Sequence, residues 1–443
     1  MESRRNLPAL LVFGLSLAGF SALIGPTLSS AAQIPQPQNS QANVTTQTQN
    51  RNARILERID EIRQRAEEGV ADAQFVLAYA YEEGIGVKLD YGTALAWYQK
   101  AAEQKHVRAL CRLGRIYFEG KRARKDTALS VRYYREAAEL GFAPAQYNLG
   151  SMYFHGDGVE RDYTQAAEWY TKGARQGFAP AQNDLAVLYQ HGQGVPKDSA
   201  IAMKWLQAAS AGGSGAADEN IAIAYFQGFG VRRSYSDAVR WFQRAAGRGL
   251  RVAYQNLAFM YQHGKGVQRD TSAALDLYKR AAAGGLVTAQ NDVGWMYANG
   301  EGVAKDYSEA AKWFRGAAMQ GDPVGQNNLG FLLATGQGVN RDYSQAAEWL
   351  RRAAERGFVP AQYNLGQLYS QGHGVRMDYV EAYKWLALSA EKRHPQAKLA
   401  LKLLCEVMTP KQIDAGKRQM ASWSASHPED ENEAETTIQT VLE

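Results

Sequence analysis

A glycine recurs every 36 residues through most of this chain, at Gly84, Gly120, Gly156, Gly192, Gly228, Gly264, Gly300, Gly336 and Gly372. Eight of the nine continue as G-x-G-V; only the second, GKRA at Gly120, departs. A strict period of this length restricts the fold more than any single motif does. One unit of this size cannot bury its own apolar face and must stack on its neighbours. The period also decides how a stretch such as YFHGDGVERDY, residues 153–163, is read. A phosphate-binding loop needs a strand before its glycines and a helix start behind them. Here an apolar helical pattern ends at the first glycine, and the arrangement repeats nine times, so the motif reads as a turn between helices.

The residues before each glycine describe one helix, termed helix A. Ala145, Leu149 and Tyr153 fall at i, i+4 and i+8, with Gly150 leaving room for a close neighbour, and the set recurs as Ala181, Leu185, Tyr189 and as Ala361, Leu365, Tyr369. Gly156 stands where a helix-terminating residue needs positive φ. Asp162 with Gln165 opens a second helix, helix B, and Asp306/Glu309, Asp342/Gln345 and Asp378/Glu381 repeat that capping pair. Helix B carries Ala166, Trp169, Tyr170, Gly173 and Ala174 on its apolar face, Gly177 ends it, and Pro180 begins the next helix A. Seven of the nine tryptophans share one position of helix B: Trp97, Trp169, Trp205, Trp241, Trp313, Trp349 and Trp385. They are expected in the core, interlocked with small Ala and Gly partners. Ile55 to Glu68 aligns with helix B alone and Ala397 to Val407 with helix A alone, so each should cap one end. Thr409-Pro410-Lys411-Gln412 then opens a last helix bearing Met420 and Trp423. The expected fold class is all-α: nine 36-residue helix–turn–helix repeats with terminal capping helices.

The flanks differ from this body. Residues 1–32 combine Arg4 and Arg5, an apolar run from Leu7 to Ile24 and the small residues Ser30-Ala31-Ala32, the layout of a secretory signal. The run is long enough that an uncleaved inner-membrane anchor is the alternative. Residues 33–52 are rich in Gln, Asn, Thr and Pro and read as a disordered linker. Residues 53–428 hold the repeats with their caps. Residues 429–443 hold six acids, Glu429, Asp430, Glu431, Glu433, Glu435 and Glu443, and are expected to be a solvated tail. These ends imply a periplasmic or secreted protein. Only two cysteines are present, Cys111 and Cys405, too few for a disulfide framework, and both are expected to be unpaired. The formal charge of +5 leaves a mild positive excess on the body, without the basic-aromatic stripe that nucleic acid would require.

The stretch AQYNLGSMYFHGDGVERDYTQAAEWYTKGARQG, recurring in register from about residue 70 to 405, resembles the Sel-one-like repeat, a relative of the tetratricopeptide repeat. The resemblance implies a right-handed α-solenoid serving as a protein-binding scaffold, often exported and acting in the bacterial envelope. Some exported members carry a disulfide in each repeat; this chain lacks those cysteines. The second repeat is the weakest match, with KRARKD in place of GVxxD and Tyr133 in place of Trp.

No catalytic constellation stands outside the repeat logic, and no cofactor is implied. His155, His191 and His263 share one register. A cation near a helix C-terminus is favoured by the helix dipole, which accounts for them without metal. Binding is the function left. The register Asn148, Asp184, Asn220, Asn256, Asp292, Asn328, Asn364 sets a row of short polar side chains along helix A. Such a row either hydrogen-bonds the backbone of an extended peptide or bonds the neighbouring repeat. A second register, Val187, Ile223, Phe259, Trp295, Phe331, is an apolar stripe. It is either a docking strip or covered by curvature of the stack. The candidate partner-binding residues are therefore Asn148, Asn220, Asn256, Asn328, Asn364, Phe259, Trp295 and Phe331, on the concave helix A face. The expected partner is a protein or peptide of the envelope, with an envelope or secreted polysaccharide as the alternative.

Overall fold

A computed structural model describes residues 52–427 apart from Arg54; the signal, nearly all of the linker and the acidic tail lie outside the described residues. Among the described residues there are only helices, turns and loops. The A helices run Ala71–Glu83, Val107–Glu119, Ala143–His155, Ala179–His191, Gly215–Gln227, Arg251–His263, Val287–Asn299, Pro323–Thr335 and Val359–Gln371. The B helices run Tyr91–Glu103, Thr127–Glu139, Tyr163–Arg175, Ser199–Ala211, Tyr235–Gly247, Thr271–Ala283, Tyr307–Met319, Tyr343–Glu355 and Tyr379–Glu391. Ile59–Glu67 precedes the repeats, and Ala397–Val407 and Pro410–Ser426 follow them. This is an α-solenoid of nine repeats with terminal helices.

One mechanical unit is used nine times. Gly156 ends its helix A at φ 78°, the left-handed conformation that costs glycine nothing. The loop then folds back, and the Asp162 amide donates to the Tyr153 carbonyl at 2.9 Å. The Asp162 side chain accepts from the Thr164 and Gln165 amides at 2.8 and 3.0 Å and so starts helix B. Gln165 does not reciprocate to the backbone. Both bonds of a capping box are present at Thr409/Gln412, at the start of the last helix. The fourth residue of helix A closes the preceding helix B: the Gln146, Gln182 and Gln362 amides donate to the Ala138, Ala174 and Ala354 carbonyls at 3.1, 3.0 and 3.3 Å. These carbonyls are among those a helix C-terminus leaves without partners.

Helix A meets its own helix B through the glycine of the NLG motif. A Cβ on Gly150 would stand 2.7 Å from the Tyr170 ring, and one on Gly294 would stand 2.7 Å from Phe314. The side chain that interlocks is thus the eighth residue of helix B, aromatic in six repeats and leucine in three, buried throughout as Tyr98, Tyr134, Tyr170, Leu206, Phe242, Tyr278, Phe314, Leu350 and Leu386. This corrects the expected place of the tryptophans. Trp385 is buried, but Trp97, Trp169, Trp205, Trp241, Trp313 and Trp349 are half-buried at the rim of the core, one residue off the interlocking face. A cation one turn on covers several of these rings: Lys100 Nζ stands 4.0 Å above Trp97 and Lys172 Nζ 3.6 Å above Trp169.

By internal contacts the described chain divides into two compact units. One extends to Ala253 and includes Lys265–Val267; the other takes Tyr254–Gly264 and everything from Gln268 onward. Cys111 is buried and Cys405 half-buried, and both are unpaired. Among the described residues no helix is long and apolar enough to cross a membrane, and no group of three or more metal-ligating side chains is assembled. His155, His191 and His263 are exposed at the ends of their helices.

Candidate binding face on the A helices

Successive A helices meet along their fifth and sixth residues. The sixth residue of one repeat faces the fifth of the repeat before it, 37 positions back. Asn220 Nδ2 donates to Asn183 Oδ1 at 2.9 Å, and Asn364 Nδ2 to Asn327 Oδ1 at 2.9 Å. Within each helix the line continues sideways, from Asn183 Nδ2 to Asp184 Oδ1 at 2.9 Å and from Asn327 Nδ2 to Asn328 Oδ1 at 3.2 Å. Asn148 Nδ2 reaches Cys111 Sγ at 3.7 Å in the same register. Burial, partly offset by that contact, pushes the Cys111 thiol up to about 12, so it stays an inert neutral thiol. Between Gln255 and Asp292 the donor is on the other side: Gln255 Nε2 donates to Asp292 Oδ2 at 2.6 Å. Burial pushes this carboxyl up to about 7, with the Gln255 bond acting against it.

The amide row expected on an open face is therefore inside the molecule. Asn148, Asn220, Asn256, Asn328 and Asn364 are all buried. The physical reason is the close approach of neighbouring A helices, which turns the fifth and sixth positions toward each other. The rest of the bonding capacity is not filled: the buried Asn220 Oδ1 and Asn364 Oδ1 accept no hydrogen bond among the described residues.

The apolar register divides. Val187, Ile223 and Phe331 are buried, and Phe331 belongs to a continuous core cluster with Leu332, Leu350 and Leu365. Phe259 and Trp295 are half-buried. Phe259 packs against His263, with ring centroids 4.4 Å apart, and Trp295 packs against the core clusters on both sides of its repeat. Of the three aromatic anchors expected, two keep accessible surface.

A second accessible face was missed in the sequence. The first repeat carries Phe75 and Val76 at the fifth and sixth positions, where later repeats mostly place polar residues, and Tyr79 at the ninth. With Ile55, Ile62 and Arg65 these line a groove of about 360 Å³. The Arg108 guanidinium lies 4.6 Å above the Phe75 ring at its edge. The signal was present, since Phe75-Val76 breaks the amide pattern. A first repeat departs from consensus for capping reasons as well, so sequence alone did not separate the two.

Comparison with known proteins follows the same repeats. A family profile described as Sel1 repeat matches residues 71–106, 107–142, 143–178, 179–214, 216–250, 251–286, 287–322, 323–358 and 359–394. Among solved structures, a Sel1 repeat protein from Oxalobacter formigenes is 31% identical, with 71% of this chain and 91% of that one covered and a TM-score of 0.55. The protein c5321, described as a protective antigen of uropathogenic Escherichia coli strains displaying an SLR fold, is 28% identical, with 87% of this chain and 97% of that one covered and a TM-score of 0.47. No curated protein gives a significant match.

Proposed function

The chain belongs to the Sel1 repeat family, whose solenoids are generally non-catalytic protein-interaction scaffolds, and from that premise we propose that it binds a protein or peptide partner of the bacterial envelope along its A helices. The observation that carries this reading is the accessible aromatic surface left on helices that are otherwise buried nearly all round: Phe259 and Trp295 in one unit, and Phe75 and Tyr79 in the other. Half-exposed aromatics on a rigid helical support are the residue types that dominate binding energy at protein interfaces. The Asn register supports them from below by fixing the spacing of the helices that carry them. The signal-like leader of residues 1–32 supports an exported location, periplasmic or secreted.

Polysaccharide is the competing ligand, favoured by the half-buried Trp rims of the B helices. One experiment addresses both. The full chain is used as bait on solubilised envelope, beside F259S/W295S and Y79S/R108E variants of matched helical circular dichroism. Retained proteins and sugars are both identified, and any protein is then titrated in pure form. A protein that binds the parent at least tenfold more tightly than one of these variants supports the reading; retention of sugar alone, or equal binding by all three baits, overturns it.

A further inference from the structure

The repeat stack ends abruptly. Helix Ala397–Val407 continues the A series, its Ala397 standing 36 residues after Ala361. Its inner side is used: Ala397, Leu404 and Met408 are buried against the last helix B. In the later-repeat A helices the fifth residue is buried, and Tyr147, Asn183, Asn327 and Tyr363 are at most 4% exposed. The equivalent residue here is Leu399, and it is 54% exposed. One and two turns on, Leu403 is half-buried and Val407 is exposed. Leu399, Leu403 and Val407 thus form an i, i+4, i+8 stripe where an eleventh A-type neighbour would pack. The last helix, Pro410–Ser426, does not take that place. It lies on the last helix B, where a Cβ on Gly416 would meet the Tyr383 ring at 2.6 Å and Trp423 stands edge-on to Trp385 at 6.0 Å.

We propose that residues 434–442 of this same chain dock on the Leu399–Leu403–Val407 stripe through the apolar side chains of Ala434, Ile438, Val441 and Leu442. Three observations select this occupant. Ala434, Ile438, Val441 and Leu442 fall at i, i+4, i+7 and i+8, a helix-period apolar face in a segment that otherwise has none to bury. The charges match: exposed Lys398 and Lys402 flank the stripe and Lys411, Lys417 and Arg418 lie on the next helix, while the tail brings six acids, five of them at or before position 435. The tether is short. Six residues separate His427 from Ala434 and reach roughly 20 Å when extended. A tether of that length gives an effective concentration on the order of millimolar, which favours the chain's own tail over a second copy at ordinary protein concentrations.

The test is hydrogen exchange on the full-length chain. Replacing Ile438, Val441 and Leu442 by Ser should speed exchange of the amides in 397–407 by about tenfold or more. The surface pair L399S/V407S should likewise expose the amides of 434–442, with the circular dichroism of the repeats unchanged. Both effects should be independent of protein concentration, and light scattering should show no change of mass. Unchanged exchange in both variants overturns the proposal. So does protection that grows with concentration, which would assign the stripe to a second copy. Charge reversal in K398E/K402E provides the further check, since it alters no apolar contact: it should weaken tail protection, and an unaltered tail would remove the electrostatic part of the argument.

Discussion

Asn220 reaches back 37 residues to Asn183, one more than the repeat length, and donates to it at 2.9 Å with both side chains buried. The extra residue is the offset between neighbouring A helices, and it recurs between Asn364 and Asn327. The pair therefore sets register as well as contributing a bond. Replacing Asn183 by Leu removes the acceptor, strands the Asn220 amide away from water and also withdraws the Asn183 donor from Asp184, a loss that the second substitution does not restore. A buried donor left without a partner costs about 1–3 kcal/mol. Urea denaturation should show a loss of that size for N183L. The double variant N183L/N220L should recover part of it, because no polar atom of the pair is then left stranded.

From Gly158 onward the second glycine of the G-x-G turns is fixed by contact as well as by conformation. At Gly194, φ is +68° and a Cβ would stand 2.1 Å from the Tyr163 carbonyl oxygen, at the start of the preceding helix B. At Gly177, φ is +81° but nothing lies within 4 Å of the same position. Alanine at Gly177 should cost only the left-handed backbone term, about 1–2 kcal/mol. Alanine at Gly194 adds a clash with backbone that cannot move aside, so it should cost roughly twice that or more. Equal losses in thermal denaturation would show that the repeat interface yields at this turn.

The repeat, its helix boundaries and its capping residues were legible because each is a local matter. Period, glycine and N-cap chemistry act within a few residues of Gly156 or Asp162, and nine copies of the same pattern reinforce one another. What was not legible is which side of a helix its neighbours cover. Sequence set Asn148 and Asn364 on a flank, and both are buried by the adjacent A helix, whose approach depends on the packing of entire repeats. The tryptophans were misplaced for a related reason: Trp169 and Tyr170 are adjacent, and only the Tyr170–Gly150 contact shows which of them interlocks. The open stripe at Leu399 was hidden because KLALKLL is apolar on every side but that of Lys398 and Lys402, so its pattern does not separate a covered face from an open one.

The one aberrant turn has a specific substitute for its missing glycine. Arg122 occupies the second-glycine position of the second repeat, and its Nε lies 3.0 Å from Glu82. Glu82 is buried and also takes Arg112 Nε at 2.8 Å and the Tyr98 hydroxyl at 2.7 Å. Glu82→Ala would leave the mostly buried Arg112 and Arg122 guanidinium groups with only their longer contacts to Glu83 and Glu119, at 3.8 and 3.7 Å, which should destabilise by about 3 kcal/mol. Arg122→Ala should cost clearly less, because Arg112 still neutralises the carboxylate. If the two variants unfold at the same urea concentration, the network is not the element that holds this turn.

Asp292 makes stability depend on pH near neutrality. Its carboxyl is pushed up to about 7 by burial, against an ordinary value of 3.8, while the Gln255 bond favours the charged form. The carboxylate acts in turn on the Tyr278 hydroxyl, which burial and then this charge hold well above the usual range. Between these two carboxyl values the folded chain holds a proton that the unfolded chain has lost. This group therefore supports the fold fully below about pH 4, and its contribution declines as pH rises through about 7. The span corresponds to a decline on the order of 4 kcal/mol. Asp292→Asn removes the titration and keeps an acceptor for Gln255, the same side chain that Asn220 and Asn364 supply at this register. The variant should gain stability relative to the parent between pH 5 and pH 8, measured as the shift of the urea midpoint. A difference between parent and variant that stays constant over that range would mean that Asp292 is ionised throughout and that Gln255 alone holds its charge.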